Sequence, residues 1–181
     1  MNEIEVKILE IDIPVIISQL EKNNLSRVKD EAQVNTIYDF PELSLLSKKG
    51  YARIREVTDR TTGAKNVYMT VKKMISQEKY KEMEEYETEI KDAEAGHHIF
   101  KALGLICRKI LIKDRISYRY KSTLVEIDNV SHSEYPFPLL EIETQNESEL
   151  KEVVELLGYT MADTTSKTMT EIVHDKQLKT C

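Results

Sequence analysis

Residues 3–7 read EIEVK, with Glu3, Glu5 and Lys7 at alternate positions and Ile4, Val6 and then Ile8 between them. In an extended strand successive side chains point to opposite faces, so one face of this segment is charged and the other aliphatic. An isolated strand of this kind turns its charged face to water in an open antiparallel sheet. The fold therefore depends on whether the pattern stands alone.

It recurs along the chain. YARIR sets Arg53 and Arg55 opposite Ala52 and Ile54, and VYMTVK sets Thr70 and Lys72 opposite Met69 and Val71. Glu87 and Glu89 share a face in YETEI, Lys113 and Arg115 in ILIKDR, Glu126 and Asp128 in VEID, and Glu141 and Glu143 in LLEIE. Amphipathic segments such as Val15 to Lys22 and Glu147 to Leu157 need an apolar surface to cover, and the aliphatic strand faces supply it. With helices outside, the charged faces point inward, into a closed barrel wide enough for water and ligand. Small barrels normally fill themselves with apolar side chains. A charged interior is costly unless acids and bases are matched or a bound ligand neutralises them.

The remaining punctuation is consistent with an α+β chain built on a large antiparallel sheet. A helix starts at Asp12-Ile-Pro14 and stops at Asn23-Asn24, and others are expected at 92–103, closed by Gly104, and at 147–157, between Asn146 and Gly158. Strands are expected at 35–40, 51–57, 67–73, 86–91, 110–120, 123–130 and 139–144, with a last helical segment at 164–174. Residues 41–50 read as an irregular, partly mobile connection, and the charged stretch 76–84 as a link between strands.

Composition narrows the function. At 181 residues, 40% of them hydrophobic, the chain is expected to form one domain with a real core. The net charge of −6 argues against holding nucleic acid by bulk positive field. No apolar run approaches 18 residues and the first residues are not those of a signal peptide, so a soluble, cytoplasmic protein is expected, with no membrane partner. Two cysteines, Cys107 and Cys181, and four histidines lack zinc-site spacing, and five glycines leave no phosphate-cradling loop. Any phosphate chemistry falls to side chains.

The inward set divides by charge. Glu3, Glu5, Asp128, Glu141 and Glu143 are hard oxygen donors suited to Mg²⁺ or Mn²⁺. Lys7, Arg53, Arg55, Lys72, Lys113 and Arg115 form a cationic cradle, and paired arginines match phosphate oxygens. Carboxylates for metal facing cations for phosphate are the parts that phosphoryl transfer uses, by positioning and charge neutralisation. The charged face of EIEVK is thus placed inside.

These residues resemble the CYTH superfamily, the triphosphate tunnel metalloenzymes, which include class IV adenylyl cyclases, thiamine triphosphatases and inorganic triphosphatases. EIEVK is similar to the family's E-x-E-x-K signature, and NTIYDF, GYARIR, MTVK, YETEI, KDRISY, VEIDNV and LLEIE look like its successive strands in order. TSKTMTEIV resembles its C-terminal element. HSEYPFP lacks the glycine usual in the family at that point, and Met169 stands where members often carry tyrosine.

The resemblance implies an eight-stranded closed antiparallel β-barrel with helices packed outside and a triphosphate along its axis. By position it gives the metal role to Glu3, Glu5, Asp128, Glu141 and Glu143, and triphosphate binding and catalysis to Lys7, Arg53, Arg55, Lys72 and Arg115. Lys167 becomes a further phosphate contact, and Glu87 and Glu89 orient the bases or hold a second metal. Three functions share such a cradle: a metal-dependent hydrolase of triphosphate, ATP or thiamine triphosphate, a class IV adenylyl cyclase, and a non-catalytic polyphosphate- or nucleotide-binding module. The residues leave oligomeric state open.

Overall fold

The computed structural model describes residues 3–78, 80–131 and 135–179, and of residues 3, 131, 178 and 179 the backbone alone. Its strands are β1 (Glu3–Leu9), β2 (Ser26–Asp39), β3 (Tyr51–Asp59), β4 (Lys65–Ser76), β5 (Lys81–Ile90), β6 (Ile106–Tyr120), β7 (Thr123–Ser131) and β8 (Leu139–Thr144). They close into one antiparallel barrel in the order β1-β5-β4-β3-β2-β6-β7-β8. Four helices accompany them: α1 (Ile13–Lys22), α2 (Ala93–Ala102), α3 (Glu147–Leu156) and α4 (Met169–Lys179).

The aliphatic strand faces point outward under helices. Val6, Ile8, Val125, Ile127, Leu140 and Ile142 pack with Ile16 and Leu20 of α1 and Leu150, Val153 and Val154 of α3 in the largest apolar cluster. A second cluster joins Tyr38, Ala52 and Ile54 to Phe100 of α2. Tyr38 is therefore a packing residue, its hydroxyl 2.7 Å from His97 Nδ1. Helix starts follow ordinary capping: Asp12 accepts from Val15 N, Asp92 from Ala95 N, and Asn146 from Ser148 N and Glu149 N.

Several boundaries differ from the sequence reading. β2 begins at Ser26 and β6 at Ile106, because the two strands pair over thirteen positions from Ser26↔Arg119 to Asp39↔Ile106. Hydrogen bonding along the ladder sustains an extension whose charged residues carry no apolar alternation. β5 begins at Lys81, so KEMEE is strand, paired with β1 and β4. Within 41–50, a short 3-10 turn at 46–48 is pinned by Asp39, whose carboxylate accepts from Phe40 N, Leu45 N and Leu46 N at 2.7–2.9 Å. The C-terminal helix starts at Met169 rather than 164, and Thr165 instead forms a bridge with Lys7.

Candidate active site in the barrel lumen

Residues directly opposed in a ladder share a face, and the register sets which side chains meet inside. Across β3, β4 and β5, Arg53 lies opposite Thr70 and Thr70 opposite Glu87, while Tyr51 lies opposite Lys72 and Lys72 opposite Glu85. Across β7, β8 and β1, Glu126 lies opposite Glu141 and Glu141 opposite Lys7, with Glu5 opposite Glu143. Alternation thus delivers the charged faces of the strands to one lumen.

On one wall, Arg55 Nη2 donates to both oxygens of Glu87 at 2.8 and 2.9 Å, and Thr70 Oγ1 donates to the same carboxylate at 2.6 Å. Arg53 Nη2 lies 3.4 Å from Glu87 and 3.6 Å from Glu85, and Lys72 Nζ lies 2.6 Å from Glu85. Glu89 accepts from Asn66 at 3.0 Å. On the facing wall, Arg115 grips Asp128 with Nε and Nη2, each at 2.6 Å. It also pairs with Glu126, and with Glu141 at 2.7 Å. Lys113 Nζ lies 2.6 Å from Asp128.

β1 joins the walls. Lys7 Nζ donates to Glu5 and lies 3.4 Å from Glu141, while Lys81 Nζ donates to both Glu5 oxygens at 3.0 and 2.8 Å. Lys7, with 1% of its surface exposed, is among the most buried large side chains described. Such burial is tolerable because each charge is matched and hydrogen-bonded.

The electrostatics follow. Burial pushes the Glu5 carboxyl up, but Lys7 and Lys81 outweigh both this and the repulsion from Glu141, bringing it down from 4.5 to about 2. Burial likewise opposes ionisation of Glu141, and Lys7 and Arg115 hold it well below the usual carboxylate range. Lys7 and Lys72 are raised despite burial by the acids around them. Arg55 is shifted the other way: burial, then Arg53 and Arg115, lower it against the pull of Glu87. At Arg55, then, neighbouring cations and burial together outweigh the one carboxylate that it grips.

The hydrogen-bond inventory points to the same place. Among the described residues Arg53 Nε, Arg55 Nε and Asn35 Nδ2 are buried donors that meet no acceptor. Asn35 lies opposite Arg55 in the β2–β3 ladder, so these donors sit on neighbouring strands. Unmet buried donors are costly, and an anion placed among them would supply the acceptors.

Hard carboxylates fit a divalent cation. Glu5 and Glu141 are close enough for Glu141 to raise the Glu5 carboxyl against the pull of Lys7, a like-charge pair that a cation would relieve. Glu143 lies opposite Glu5 in the β1–β8 ladder and shares its face. Glu5 and Glu141 meet lysine and arginine, and among the described residues no three acidic, histidine or cysteine side chains are gathered in metal-ligating geometry.

Of the residues singled out in the sequence, Glu5, Lys7, Arg53, Arg55, Lys72, Glu87, Lys113, Arg115, Asp128 and Glu141 form this paired lumen network, and Glu89 and Glu143 share its face by register. The Glu3 side chain lies outside the described residues, as does 132–134 of HSEYPFP. Lys167 is not brought in: it is exposed and pairs with Asp175 of α4. Lys81, Glu85 and Glu126 are lumen partners beyond the predicted set. Glu126 shares its face with Asp128 two residues on, so its signal was present, whereas Lys81 and Glu85 sit where strand β5 was not recognised.

A closed eight-stranded barrel lined by matched charges and covered by outer helices is the architecture of a tunnel protein. Residues 1–169 match the CYTH domain, and the chain belongs to that family. A solved Pyrococcus horikoshii protein is 21% identical over 96% of this chain and 99% of its own, with a TM-score of 0.79. A Vibrio parahaemolyticus protein provisionally assigned as an adenylate cyclase is 14% identical over 95% and 97%, with a TM-score of 0.77. A Hippeastrum protein, also provisionally assigned as an adenylyl cyclase but with a dominant triphosphatase activity, is 15% identical over 97% and 95%, with a TM-score of 0.68. These likenesses are likenesses of fold. No curated protein matches the chain in sequence. Among the described residues no helix is long and apolar enough to cross a membrane.

Proposed function

We propose that this protein is a divalent-metal-dependent hydrolase of inorganic or small organic triphosphates. The observation that carries the reading is the trio of buried donors that meet no acceptor among the described residues, Arg53 Nε, Arg55 Nε and Asn35 Nδ2, on the neighbouring strands β2 and β3 of the lumen wall. Phosphoryl oxygens are acceptors of the right charge and multiplicity, and arginine forks match them in pairs. Membership of the CYTH family and the triphosphatase activity of the Hippeastrum protein support the same substrate class.

Arg53, Arg55, Lys72 and Arg115 would bind the phosphate chain and stabilise the charge that develops on the transferred group. Lys7 would hold Glu5 and Glu141 in place. Glu5, Glu141 and Glu143, with Glu3 and Asp128 as further candidates, would hold Mg²⁺ or Mn²⁺, which supplies charge neutralisation and lowers the pKa of a water molecule. Glu85 and Glu87 keep the arginine and lysine heads aligned until a phosphate chain replaces them as partners.

Hydrolysis is favoured over cyclisation on geometric grounds. Water reaches any hydrated lumen, whereas cyclisation needs the ribose 3′-hydroxyl held in line at the α-phosphate, and a misplacement of about 1 Å costs roughly 10²-fold. The test is phosphate release from triphosphate, ATP and thiamine triphosphate, with Mg²⁺, with Mn²⁺ and with chelator. Metal-dependent release is expected, and Arg53→Ala should lower kcat/KM by about 10²–10³-fold, the usual effect of removing one preorganised charge-stabilising donor. Binding of triphosphate with no turnover under any metal would favour the non-catalytic module instead.

A further inference from the structure

One stretch of strand departs from the pattern in which outer aliphatic side chains lie under helices. Residues 108–114 of β6 read RKILIKD, and Lys113 faces the lumen, where it meets Asp128. Alternation therefore puts Arg108, Ile110, Ile112 and Asp114 on the outer face. Ile110 is 59% exposed and Ile112 49%, against at most 3% for Ile8, Ile54, Ile127 and Ile142, the outer isoleucines beneath helices. Neither joins the apolar clusters that α1, α2 and α3 cover. In β2, Thr36 lies opposite Ile110 and Val34 opposite Ile112, and in β7 Ser131 lies opposite Ile112. The two isoleucines thus stand on a sheet face three strands wide.

The strip carries opposite charges at its two ends. At one end Arg108 is exposed, and its Nη2 donates to Phe40 O at 2.5 Å and Pro41 O at 2.7 Å. These bonds fix the guanidinium in place, and its five N–H groups leave capacity for a further acceptor. At the other end Asp114 accepts from Arg60 through Oδ1, and 38% of its side chain is exposed. Six residues of strand set the two ends about 20 Å apart. The order along the strip is cation, isoleucine, isoleucine, anion, with Leu111 at the midpoint. Facing a second copy across a two-fold axis that runs between the faces, perpendicular to the strands and level with Leu111, the strip meets its own complement. Arg108 then opposes Asp114, and Ile110 opposes Ile112. With the axis along the strands instead, Arg108 would oppose Arg108 and Asp114 would oppose Asp114, and such like-charge contacts are costly.

We propose that the outer face of β6 is an interface between two copies of this chain, packed with their β6 strands antiparallel, Ile110 and Ile112 at the centre and an Arg108–Asp114 pair at each end. The charge order selects a second copy over an unrelated partner, because each end of the strip carries the group that the other end needs. The same patch on both copies makes the contact isologous, so it closes at two. Sheets packed face to face lie about 10 Å apart, a gap that isoleucine side chains from both sides fill. Burial of the isoleucines supplies the affinity, and the charge pairs at the rim supply the direction. All four residues lie outside the lumen, so the proposal stands apart from the triphosphate reading.

The test is sedimentation equilibrium of the full chain over a concentration series. The native protein is expected to approach twice the 21.0 kDa mass of the chain. Ile112→Asp, and the charge reversals Arg108→Asp and Asp114→Arg taken singly, should each weaken the dimer by about 10-fold or more, since each sets a charge against an apolar or like-charged neighbour. Mixing the two reversed variants is the sharpest arm. One copy then presents two acids and the other two arginines, both end contacts become attractive, and a mixed dimer should form with an affinity within about 3-fold of the native one. Thermal melting identifies a variant that fails to fold, and Arg108→Asp and Ile112→Asp keep the test alive if Asp114→Arg is lost with its Arg60 pair. A native chain that stays monomeric throughout would overturn the proposal and leave the strip to a different partner. A dimer that no folded variant weakens would place the interface elsewhere and overturn it too. Reversed variants that are weakened singly and not rescued on mixing would overturn the antiparallel pairing.

Discussion

At Glu5 three strands meet: Lys7 of its own strand, Lys81 of β5 and, across the ladder, Glu143 of β8, with Glu141 beside it. Its depressed carboxyl has a consequence for stability. A group whose folded pKa lies near 2 and whose ordinary value is 4.5 contributes stability that is fully present above about 4.5 and is lost as pH falls through about 2. The stability difference between the native protein and Glu5→Gln should therefore be full at neutral pH and close over that window, as urea unfolding at a series of pH values would show. A difference constant from pH 5 to pH 2 would mean that the Glu5 pairs do not operate. Glu141 belongs to the same scale: Glu141→Gln keeps the size and removes a hard anionic donor, so Mn²⁺ should bind at least about 10-fold more weakly with the fold retained, measured by calorimetry and circular dichroism. Which charged residues face the lumen was legible because side-chain alternation has a period of two, and a charge at i and i+2 needs no tertiary knowledge to place. What alternation cannot reveal is who pairs with whom. Asp128, expected as a metal ligand, is gripped by Arg115 and Lys113, and that follows only from the β6–β7 register.

The strands β3 and β4 show how an element can depend on a residue with no side chain. Gly50 precedes β3, and a Cβ there would lie 2.6 Å from Lys72 O, a backbone atom that cannot swing aside. Gly50→Ala should destabilise the protein by about 1–3 kcal/mol, the usual cost of overpacking. It should also weaken phosphate binding through Lys72, which the displaced strand carries. Equilibrium unfolding reads the first effect and triphosphate titration the second. An unchanged midpoint would show that the β3–β4 approach can relax. Legibility at this scale was uneven for a physical reason. β8 and the cores of β3, β4 and β7 alternate apolar with polar residues and were read nearly to their ends. The first half of β2 and of β5, SRVKDEAQ and KEMEE, is mostly polar on both faces, since one face serves the ladder's exposed or charged surroundings and the other the lumen or its rim. Ladder hydrogen bonds, not burial, hold these stretches. The C-terminal helix starts at Met169, five residues after the position its sequence pattern suggests, because Thr165 is drawn into an extended bridge by the edge of β1 at Lys7.

For the whole molecule, the decisive inference was that helices compete for the aliphatic strand faces and leave the charged ones only the inside. The structure bears this out: the apolar clusters lie outside the strands under α1, α2 and α3, and the ion-pair network lies within. Helix α4 is the exception, seated on inward-facing Leu9 and Leu139, and its different seat makes the two barrel ends unequal. The lumen's balanced pairs keep an otherwise costly interior folded, while the unmet donors of Arg53, Arg55 and Asn35 leave it competent for an anion. Whether that anion is cut by water is best decided by separating the products of an ATP reaction in Mg²⁺ or Mn²⁺ by ion-exchange chromatography, with inorganic triphosphate alongside. Phosphate and ADP from ATP, and phosphate and pyrophosphate from triphosphate, are the expected products, formed about 10²–10³-fold more slowly by Arg53→Ala. Cyclic AMP and pyrophosphate as the main products from ATP would contradict the hydrolase.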